Sequence, residues 1–220
     1  MVHEAPHGKL VVLRHGESEG NAANVFTGWL DLGLTGRGEE EAHDVGKRFR
    51  EMGLSFQHVF VSALRRTADT ARLLASELAE APSAFYVSAA LNERDYGELA
   101  GLNKDEARQR WGEEQVRIWR RSYAVAPPGG ESLRDVVARA VPYYLRTILP
   151  PLLRGEIVLI VSHGNVLRAL TMALEDYAPD EISTVEYAPA EAVFYRLKAD
   201  ATIATKERLA APGARQTGSR

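Results

Sequence analysis

Apolar residues follow two different spacings along the chain, which predicts strands that alternate with helices. Short apolar runs rich in β-branched and aromatic residues are typical of strands: 9–14, 58–62, 85–87, 157–161 and 192–197. Apolar residues three and four positions apart predict the helices: 35–52, 64–78, 104–111, 114–123, 132–153 and 166–174. Since this alternation builds a mostly parallel sheet covered on both faces, the sequence predicts a three-layer α/β/α fold whose last strand is 192–197.

Local signals specify two of these elements further. The run from Ile157 to Val161 is apolar throughout, which is typical of a central parallel strand with helices on both faces. Ser132 followed by Asp135 predicts a capped helix start, and Pro142 predicts a kink in the same helix. The sequence thus indicates both the middle of the sheet and an irregular helix beside it.

The predicted strands can all belong to one sheet. The break at Pro127-Pro128-Gly129-Gly130 is interpreted as a loop, because the strands before and after it can pair, and the sequence contains no internal repeat. We therefore expect a single domain at 9–209, preceded by a flexible N-terminal arm at 1–8 and followed by a loose C-terminal tail at 210–220.

Composition narrows the class of protein. Of 220 residues, 45% are hydrophobic and 26% charged, which is the mix of a globular chain. With 27 Lys and Arg against 30 Asp and Glu, the net charge of −3 predicts no general affinity for nucleic acid or an anionic membrane. The chain has no cysteine, which excludes a disulfide framework and a thiolate nucleophile. It also lacks a long apolar segment, so we expect a cytoplasmic protein.

Two predicted strands end in the same pair of residues, a histidine followed by a glycine. His15 follows the first strand and His163 follows 157–161. Ligands of such sheets bind beyond the carboxyl ends of the strands, so both imidazoles are candidates for one site. Either histidine alone is more often an ordinary loop or core residue. Together they favour a site in which a neutral imidazole acts as nucleophile toward phosphorus.

Cations and a carboxylate accompany the two histidines. Arg14 precedes His15, and Arg65-Arg66 follow the strand at 58–62, where two cations oppose the dipole of the helix they begin. This conflict favours a functional role for at least one of the two, since guanidinium groups suit phosphate oxygens. Glu93 is a candidate general acid if burial raises its pKa, and an exposed loop carboxylate is an equally good interpretation.

The motifs in their order are specific to one family. They are Arg14-His15-Gly16-Glu17, Asn21, Phe26-Thr27-Gly28-Trp29, Ser62-x-Leu64-x-Arg66, Leu91-Asn92-Glu93-Arg94-x-Tyr96-Gly97, Gly101-Leu102-Asn103-Lys104, Trp119-Arg120-Arg121 and His163-Gly164-Asn165. This set resembles the cofactor-dependent phosphoglycerate mutases of the histidine phosphatase superfamily, over about Lys9 to Leu209. The resemblance implies a phosphoglycerate mutase-like fold.

The resemblance also implies roles for individual residues. His15 would be the nucleophile that becomes phosphohistidine, Glu93 the proton donor and acceptor, and Arg14, Arg66 and His163 the surroundings of the transferring phosphoryl group. Further substrate contacts would come from Asn21, Thr27, Gly28, Tyr96, Lys104, Arg120, Arg121, Gly164 and Asn165. A phosphoglycerate carries a carboxylate as well as a phosphate, so cations outside the catalytic pocket are needed to bind the second anionic group.

The implied reaction interconverts 2- and 3-phosphoglycerate in glycolysis and gluconeogenesis, with 2,3-bisphosphoglycerate as phosphoryl primer. It needs no metal ion, its partner is a small molecule, and a homodimer is suggested by the resemblance alone. Two alternatives stay open: a histidine phosphatase for another phosphomonoester, and a non-catalytic module that binds phosphorylated ligands. Lys104 with Arg120 and Arg121 favours the mutase, since a simple phosphatase needs no second anion site of this kind.

The sequence departs from the family pattern at several places. Gly20 stands where a tryptophan is common, only two glycines separate Pro128 from Glu131, and Pro189-Ala190 replaces an expected Thr-Gly. The C-terminal tail is also short. None of these changes removes a catalytic candidate, but they bear on how well water is kept from a phosphohistidine, and hence on the balance of mutase and phosphatase activity.

Overall fold

A computed structural model describes residues 8–212 and shows one six-stranded sheet. The strands are β1 (Lys9–Arg14), β2 (His58–Val61), β3 (Ala84–Val87), β4 (Ile157–Ser162), β5 (Ala192–Leu197) and β6 (Ile203–Leu209). Their order across the sheet is β3-β2-β4-β1-β5-β6. Strands β1 to β4 pair with one another in parallel, whereas β5 pairs antiparallel with β1 and β6 pairs antiparallel with β5. The prediction of a mostly parallel sheet between helical layers is confirmed.

Within the described residues, eight α-helices connect and cover the strands. They are α1 (Glu19–Ala22), α2 (Gly36–Glu51), α3 (Arg65–Glu77), α4 (Lys104–Trp111), α5 (Glu113–Arg121), α6 (Leu133–Tyr143), α7 (Leu149–Leu153) and α8 (Gly164–Glu175). None of the helices in the described part of the chain is long and apolar enough to cross a membrane.

The two faces of the sheet bury different helices because side chains alternate along each strand. Leu10 and Val12 of β1 belong to the core that α6 and α8 cover, while Val11 and Leu13 belong to the core that α2 and α3 cover. Strand β4 contributes to both cores, as expected for its continuous apolar run. A third, smaller apolar cluster joins α4 and α5 to the loop around Phe26, beyond the carboxyl ends of the parallel strands.

The helix predicted at 132–153 is interrupted, as its prolines indicated. Ser132 and Asp135 form the predicted capping box: the Asp135 amide donates to Ser132 Oγ at 3.3 Å and the Ser132 amide to Asp135 Oδ2 at 2.9 Å. Pro142 lies in the last turn of α6, and a π-helical segment (Tyr144–Ile148) separates α6 from α7. Pro142 lacks an amide proton, which removes one bond of the regular helical ladder.

The prediction that 192–197 is the last strand is wrong. Strand β6 follows it and pairs antiparallel with β5 at the edge of the sheet. Its middle residues are polar or small and mostly exposed, so the apolar pattern that marks the other strands is missing there. The four-residue α1 was also not predicted, because so short a helix has no apolar period to detect.

Both ends of the described chain pack against the sheet or its helices. Gly8 is buried and its carbonyl accepts a hydrogen bond from the Leu197 amide at 3.0 Å. The Ala210 carbonyl accepts one from Arg48 Nη1 at 2.7 Å. Most of the predicted flexible arm and loose tail, residues 1–7 and 213–220, lies outside the described residues.

Candidate active site

The two histidines lie side by side because β1 and β4 are neighbours in the sheet. Arg14 pairs with Ser162 in the parallel register, and the next residue on each strand is a histidine. The ring centroids of His15 and His163 are 5.0 Å apart and both rings are buried. The carboxyl edge of the sheet therefore brings the two His-Gly pairs into one place.

Hydrogen bonding leaves one nitrogen of His15 available for chemistry. Its Nδ1 lies 2.7 Å from the Gly16 carbonyl oxygen, which can only accept, so Nδ1 carries the proton and Nε2 has the lone pair. Burial, together with the charges of Arg66 and Arg14, holds the pKa of His15 well below its usual value. The ring is therefore a neutral imidazole with a free basic nitrogen, the form that a nucleophile needs.

His163 is held in place by Ser62, the residue that follows β2, and through Ser62 by Thr67 in the first turn of α3. Its Nε2 lies 2.8 Å from Ser62 Oγ, and Ser62 Oγ in turn contacts Thr67 Oγ1 at 2.8 Å. The other ring nitrogen, Nδ1, is buried without a partner among residues 8–212. Burial and the charges of Arg66 and Arg14 lower the pKa of His163 well below its usual value. An unpartnered buried nitrogen indicates a missing polar atom, such as an oxygen of a bound anion.

Two arginines flank His15, and within residues 8–212 no carboxylate is bonded to either. Arg66 is 1% exposed and donates from Nη1 to the Leu30 carbonyl and from Nη2 to the Gly28 carbonyl, each at 2.9 Å. Arg14 donates from Nη1 to the Tyr187 carbonyl at 2.6 Å, and its Nε is buried without a partner in the described chain. Burial lowers the pKa of both guanidinium groups. Such desolvated cations bind a phosphoryl group strongly.

Only one member of the Arg65-Arg66 pair faces the site. Arg65 is exposed and forms an ion pair with Asp69 at 3.0 Å, while its backbone amide donates to Asp31. Arg66, the next residue, turns inward under Gly28 and Leu30. The interpretation that at least one of the two has a functional position agrees with this arrangement.

Glu93 is half-buried and lines the cavity. Its Oε1 accepts from the Arg94 amide at 2.7 Å and from Asn165 Nδ2 at 3.0 Å. Its carbonyl accepts from Trp29 Nε1 at 2.6 Å and from Arg139 Nη2 at 2.9 Å. Both the carboxylate and the backbone of Glu93 are therefore fixed, as a general acid requires.

Arg94 supports the pocket from below, a position that the sequence did not indicate. The side chain is 0% exposed, lies over the Tyr96 ring at 4.7 Å, and donates to Tyr96 Oη at 3.2 Å. Its Nη2 also donates to the Arg120 carbonyl at 3.1 Å. Burial raises the pKa of Tyr96, but the charge and hydrogen bond of Arg94 outweigh burial and lower it. A buried cation thus ties Tyr96 to helix α5.

A second group of cations lies on α4 and α5. Lys104 begins α4, and its amide donates to the Asn24 carbonyl at 2.9 Å. Arg120 and Arg121 form the last turn of α5, where cations interact favourably with the helix dipole. Burial, and next the charge of Arg120, lower the pKa of Lys104. The α4–α5 pair therefore presents three cations to the cavity.

These groups enclose one cavity of about 150 Å³. All of the predicted site residues except His163 line it: Arg14, His15, Asn21, Thr27, Gly28, Arg66, Glu93, Tyr96, Lys104, Arg120, Arg121, Gly164 and Asn165. His163 lies behind the wall, in contact with the ring of His15. The structure thus brings the predicted residues together, while their individual roles stay predictions.

Six further lining residues were not predicted as site residues: Ser18, Val25, Phe26, Arg168, Glu186 and Tyr187. Arg168 Nη1 donates to Asn165 Oδ1 at 3.0 Å, which fixes the amide so that its Nδ2 faces Glu93. A lone arginine in the apolar run of α8, one turn after Asn165, is the signal that could have identified it. Nothing in the sequence marks Glu186 or Tyr187, which lie in an irregular segment before β5.

Two departures from the family pattern have visible structural consequences. A Cβ on Gly20 would lie 2.4 Å from Thr27 Oγ1, so a larger residue there needs a different position of Thr27. Ala190 has φ 56°, a left-handed conformation that favours glycine, and its amide donates to the Arg14 carbonyl at 3.1 Å. Gly20 and Ala190 therefore lie next to the site residues Thr27 and Arg14, and neither departure from the family pattern removes a residue of the site.

Comparison with known proteins decides the family. The sequence pattern of the Histidine phosphatase superfamily (branch 1) matches residues 10–207. A 2,3-bisphosphoglycerate-dependent phosphoglycerate mutase of Nitrobacter hamburgensis is 54% identical over 92% of this chain and 98% of its own. The chain belongs to the cofactor-dependent phosphoglycerate mutase family of this superfamily. The resemblance given by the motifs is confirmed.

Other relatives agree with this family. The mutase of the same name from Brucella anthropi is 53% identical over 92% of this chain and 98% of its own. Among solved structures, Bacillus stearothermophilus YhfR superposes with a TM-score of 0.78 at 27% identity, covering 93% of this chain and 96% of its own. A mycobacterial glucosyl-3-phosphoglycerate phosphatase bound to VO3 gives 0.76 at 26% identity, covering 86% and 92%. The phosphoglycerate mutase-like fold is confirmed.

Proposed function

We propose that this mutase-family chain interconverts 2- and 3-phosphoglycerate through a phosphohistidine at His15, with 2,3-bisphosphoglycerate as primer. The observation that carries the proposal is the pair of cation groups in one cavity. Arg14 and Arg66 flank His15, while Lys104, Arg120 and Arg121 line another part of the wall. A ligand with two anionic groups fits such a cavity, and a ligand with one leaves part of it unused.

The residues also fit the bisphosphate. Arg14 lines the cavity and its Nε is buried without a partner in the described structure, so an additional anionic oxygen would satisfy it. When bound, 2,3-bisphosphoglycerate supplies the phosphoryl group that the histidine carries. Every other contribution to the chemistry comes from the protein's own side chains.

In the proposed reaction His15 is the nucleophile. A bond forms between its Nε2 and phosphorus as the bond between phosphorus and the ligand oxygen breaks, and Glu93 gives that oxygen a proton. In the reverse direction Glu93 removes the proton of a phosphoglycerate hydroxyl, which attacks the phosphohistidine and frees the imidazole. Arg14 and Arg66 stabilise the negative charge on the three equatorial oxygens. Between the two transfers the bisphosphate reorients without leaving the cavity.

An assay of 3-phosphoglycerate with and without 2,3-bisphosphoglycerate tests the proposal. We expect 2-phosphoglycerate to form, and the bisphosphate to accelerate its formation, because only a primed His15 can donate to the substrate hydroxyl. Release of inorganic phosphate without any 2-phosphoglycerate would instead support the phosphatase alternative. The solved phosphatase structure at 26% identity shows that this fold also occurs in a phosphatase, so phosphate release is a specific alternative for the assay to detect.

Two finer statements belong to the proposal. The absence of cysteine and the glycolytic reaction support a cytoplasmic location. Strand β3 supports a homodimer: it is a sheet edge in the described chain, with Phe85 48% and Val87 65% exposed. Edge strands with exposed apolar side chains pair with other strands unless they are covered, and a second copy would cover both.

Sedimentation equilibrium tests the dimer. The wild-type protein is expected to have twice the 24.2 kDa mass of one chain, and the double variant Phe85→Lys, Val87→Lys that of one. Met52→Lys is the matched control, because Met52 is 45% exposed at the end of α2, away from β3. A monomeric wild-type protein, or a double variant that stays dimeric, would contradict an interface at β3.

A further inference from the structure

One carboxylate lies among the cations of the cavity without a part in the proposed chemistry. Glu186 precedes β5, in the segment that follows a short 3₁₀ turn (Ile182–Thr184), and its side chain is 60% exposed. Its carboxylate forms ion pairs with Arg168, at 3.0 Å, and with Arg121. An acidic group at this place is unfavourable for a pocket that binds anions, unless it serves another purpose.

The cations of α4 and α5 differ in their partners. In the described chain, neither Lys104 nor Arg120 forms an ion pair with a carboxylate, whereas Arg121 is already paired with Glu186. Arg168 is fixed by bonds to Asn165 Oδ1 and to the Val185 carbonyl at 2.6 Å. A bound anion can therefore recruit Lys104 and Arg120 freely, but it reaches Arg121 only in competition with Glu186.

Glu186 has the exposure that such competition needs. Its side chain is largely exposed, so it can leave the two arginines and be solvated. Arg168, in contrast, is 8% exposed and bonded to α8 and to the backbone, and it stays in place. The ion pair thus joins one fixed cation to one displaceable carboxylate.

We propose that Glu186 is a specificity-determining residue that competes with the carboxylate of the bound phosphoglycerate for Arg121 and Arg168. The competition weakens binding of ligands that carry a second anionic group, and leaves ligands with a phosphate alone little affected. A site that holds a bisphosphate during its reorientation and then releases a monophosphate benefits from such a limit on affinity. This inference rests on the proposed function, because it takes a phosphoglycerate as the ligand.

Calorimetric binding to Glu186→Gln and wild-type protein tests the inference. The probes are 3-phosphoglycerate and glycerol 3-phosphate, which has a hydroxymethyl group in place of the carboxylate. We expect Glu186→Gln to lower the Kd of 3-phosphoglycerate about three- to fivefold, the range of a partly exposed ion pair, and to leave glycerol 3-phosphate within about 1.5-fold. Steady-state kinetics should show the same change in KM, with less change in kcat.

Glu114→Gln is the matched control. Glu114 is exposed and pairs with Arg117 on α5, the helix that carries Arg121, and its replacement removes the same charge outside the cavity. We expect wild-type binding of both probes. Equal gains for the two variants, or for the two probes, would reduce the effect to net charge and overturn the inference.

The remaining outcomes separate this inference from the proposed function. Weaker binding of 3-phosphoglycerate by Glu186→Gln would mean that Glu186 holds the arginines in place for the ligand, which overturns the competition. Unchanged binding overturns it as well. In both cases a wild-type preference for 3-phosphoglycerate over glycerol 3-phosphate leaves the proposed function intact. Absence of that preference in both the wild-type and the Glu186→Gln protein would contradict the proposed function, and the inference with it.

Discussion

Replacing His15 by alanine is expected to abolish labelling of the protein by 2,3-bisphosphoglycerate and to lower the mutase rate at least about 10⁴-fold. The reason is that, of the two adjacent imidazoles, that of His15 lines the cavity and offers it a free basic nitrogen, whereas His163 lies behind the wall. His15 Nε2 has the lone pair, since Nδ1 bonds to the Gly16 carbonyl. His163 Nε2 is bonded to Ser62 Oγ instead. The acid-labile label is therefore expected on His15 and not on His163.

Mass spectrometry of the labelled chain, with 2,3-bisphosphoglycerate as donor, measures this directly. His43→Ala is the matched control, because His43 lies on α2 in an ion pair with Glu77 and outside the cavity. It should be labelled like the wild-type protein. A label that survives in His15→Ala would assign the nucleophile to another residue, while an unlabelled wild-type protein would support the non-catalytic binding module.

The sequence identified those parts of the fold that depend on apolar content. Strands β1 and β4 are continuous apolar runs, and they lie in the middle of the sheet, where both faces are buried. Strand β6 was missed, because an edge strand whose middle residues are exposed and mostly polar has no such run. The spacing of apolar residues reveals elements that have a buried face, so elements that bury few side chains are not predicted from it.

The second limit of the sequence was that it does not show which strands are neighbours in the sheet. That His15 and His163 touch follows from the adjacency of β1 and β4, which is a property of the topology and not of either strand's composition. The family motifs supplied that adjacency indirectly, by naming both histidines as parts of one site. Glu186 belongs to no such motif, and its position depends on the path of the irregular segment before β5. Residues placed by loops are the ones that only the structure reveals.

Arg66→Ala is expected to lower kcat at least about 10³-fold, whereas Arg120→Ala is expected mainly to raise KM about tenfold. Arg66 is buried beside His15, where a guanidinium stabilises the charge that develops during transfer. Arg120 lies on α5 with the outer cations of the cavity, where we expect it to contact a part of the ligand that does not react. Loss of its side chain also leaves intact the bond from Arg94 to the Arg120 carbonyl.

Because Arg66 also binds the Gly28 and Leu30 carbonyls, its truncation leaves two acceptors unpaired and lowers stability. Arg66→Lys therefore accompanies it: the charge stays and the planar fork is lost, and kcat should still fall at least about tenfold in a folded protein. Arg65→Ala is the control from the same helical turn, since Arg65 pairs with Asp69 outside the cavity. It should keep kcat and KM within about twofold. Equal losses of kcat in Arg66→Ala and Arg120→Ala would contradict the proposal that Arg66 acts in phosphoryl transfer and Arg120 in ligand binding.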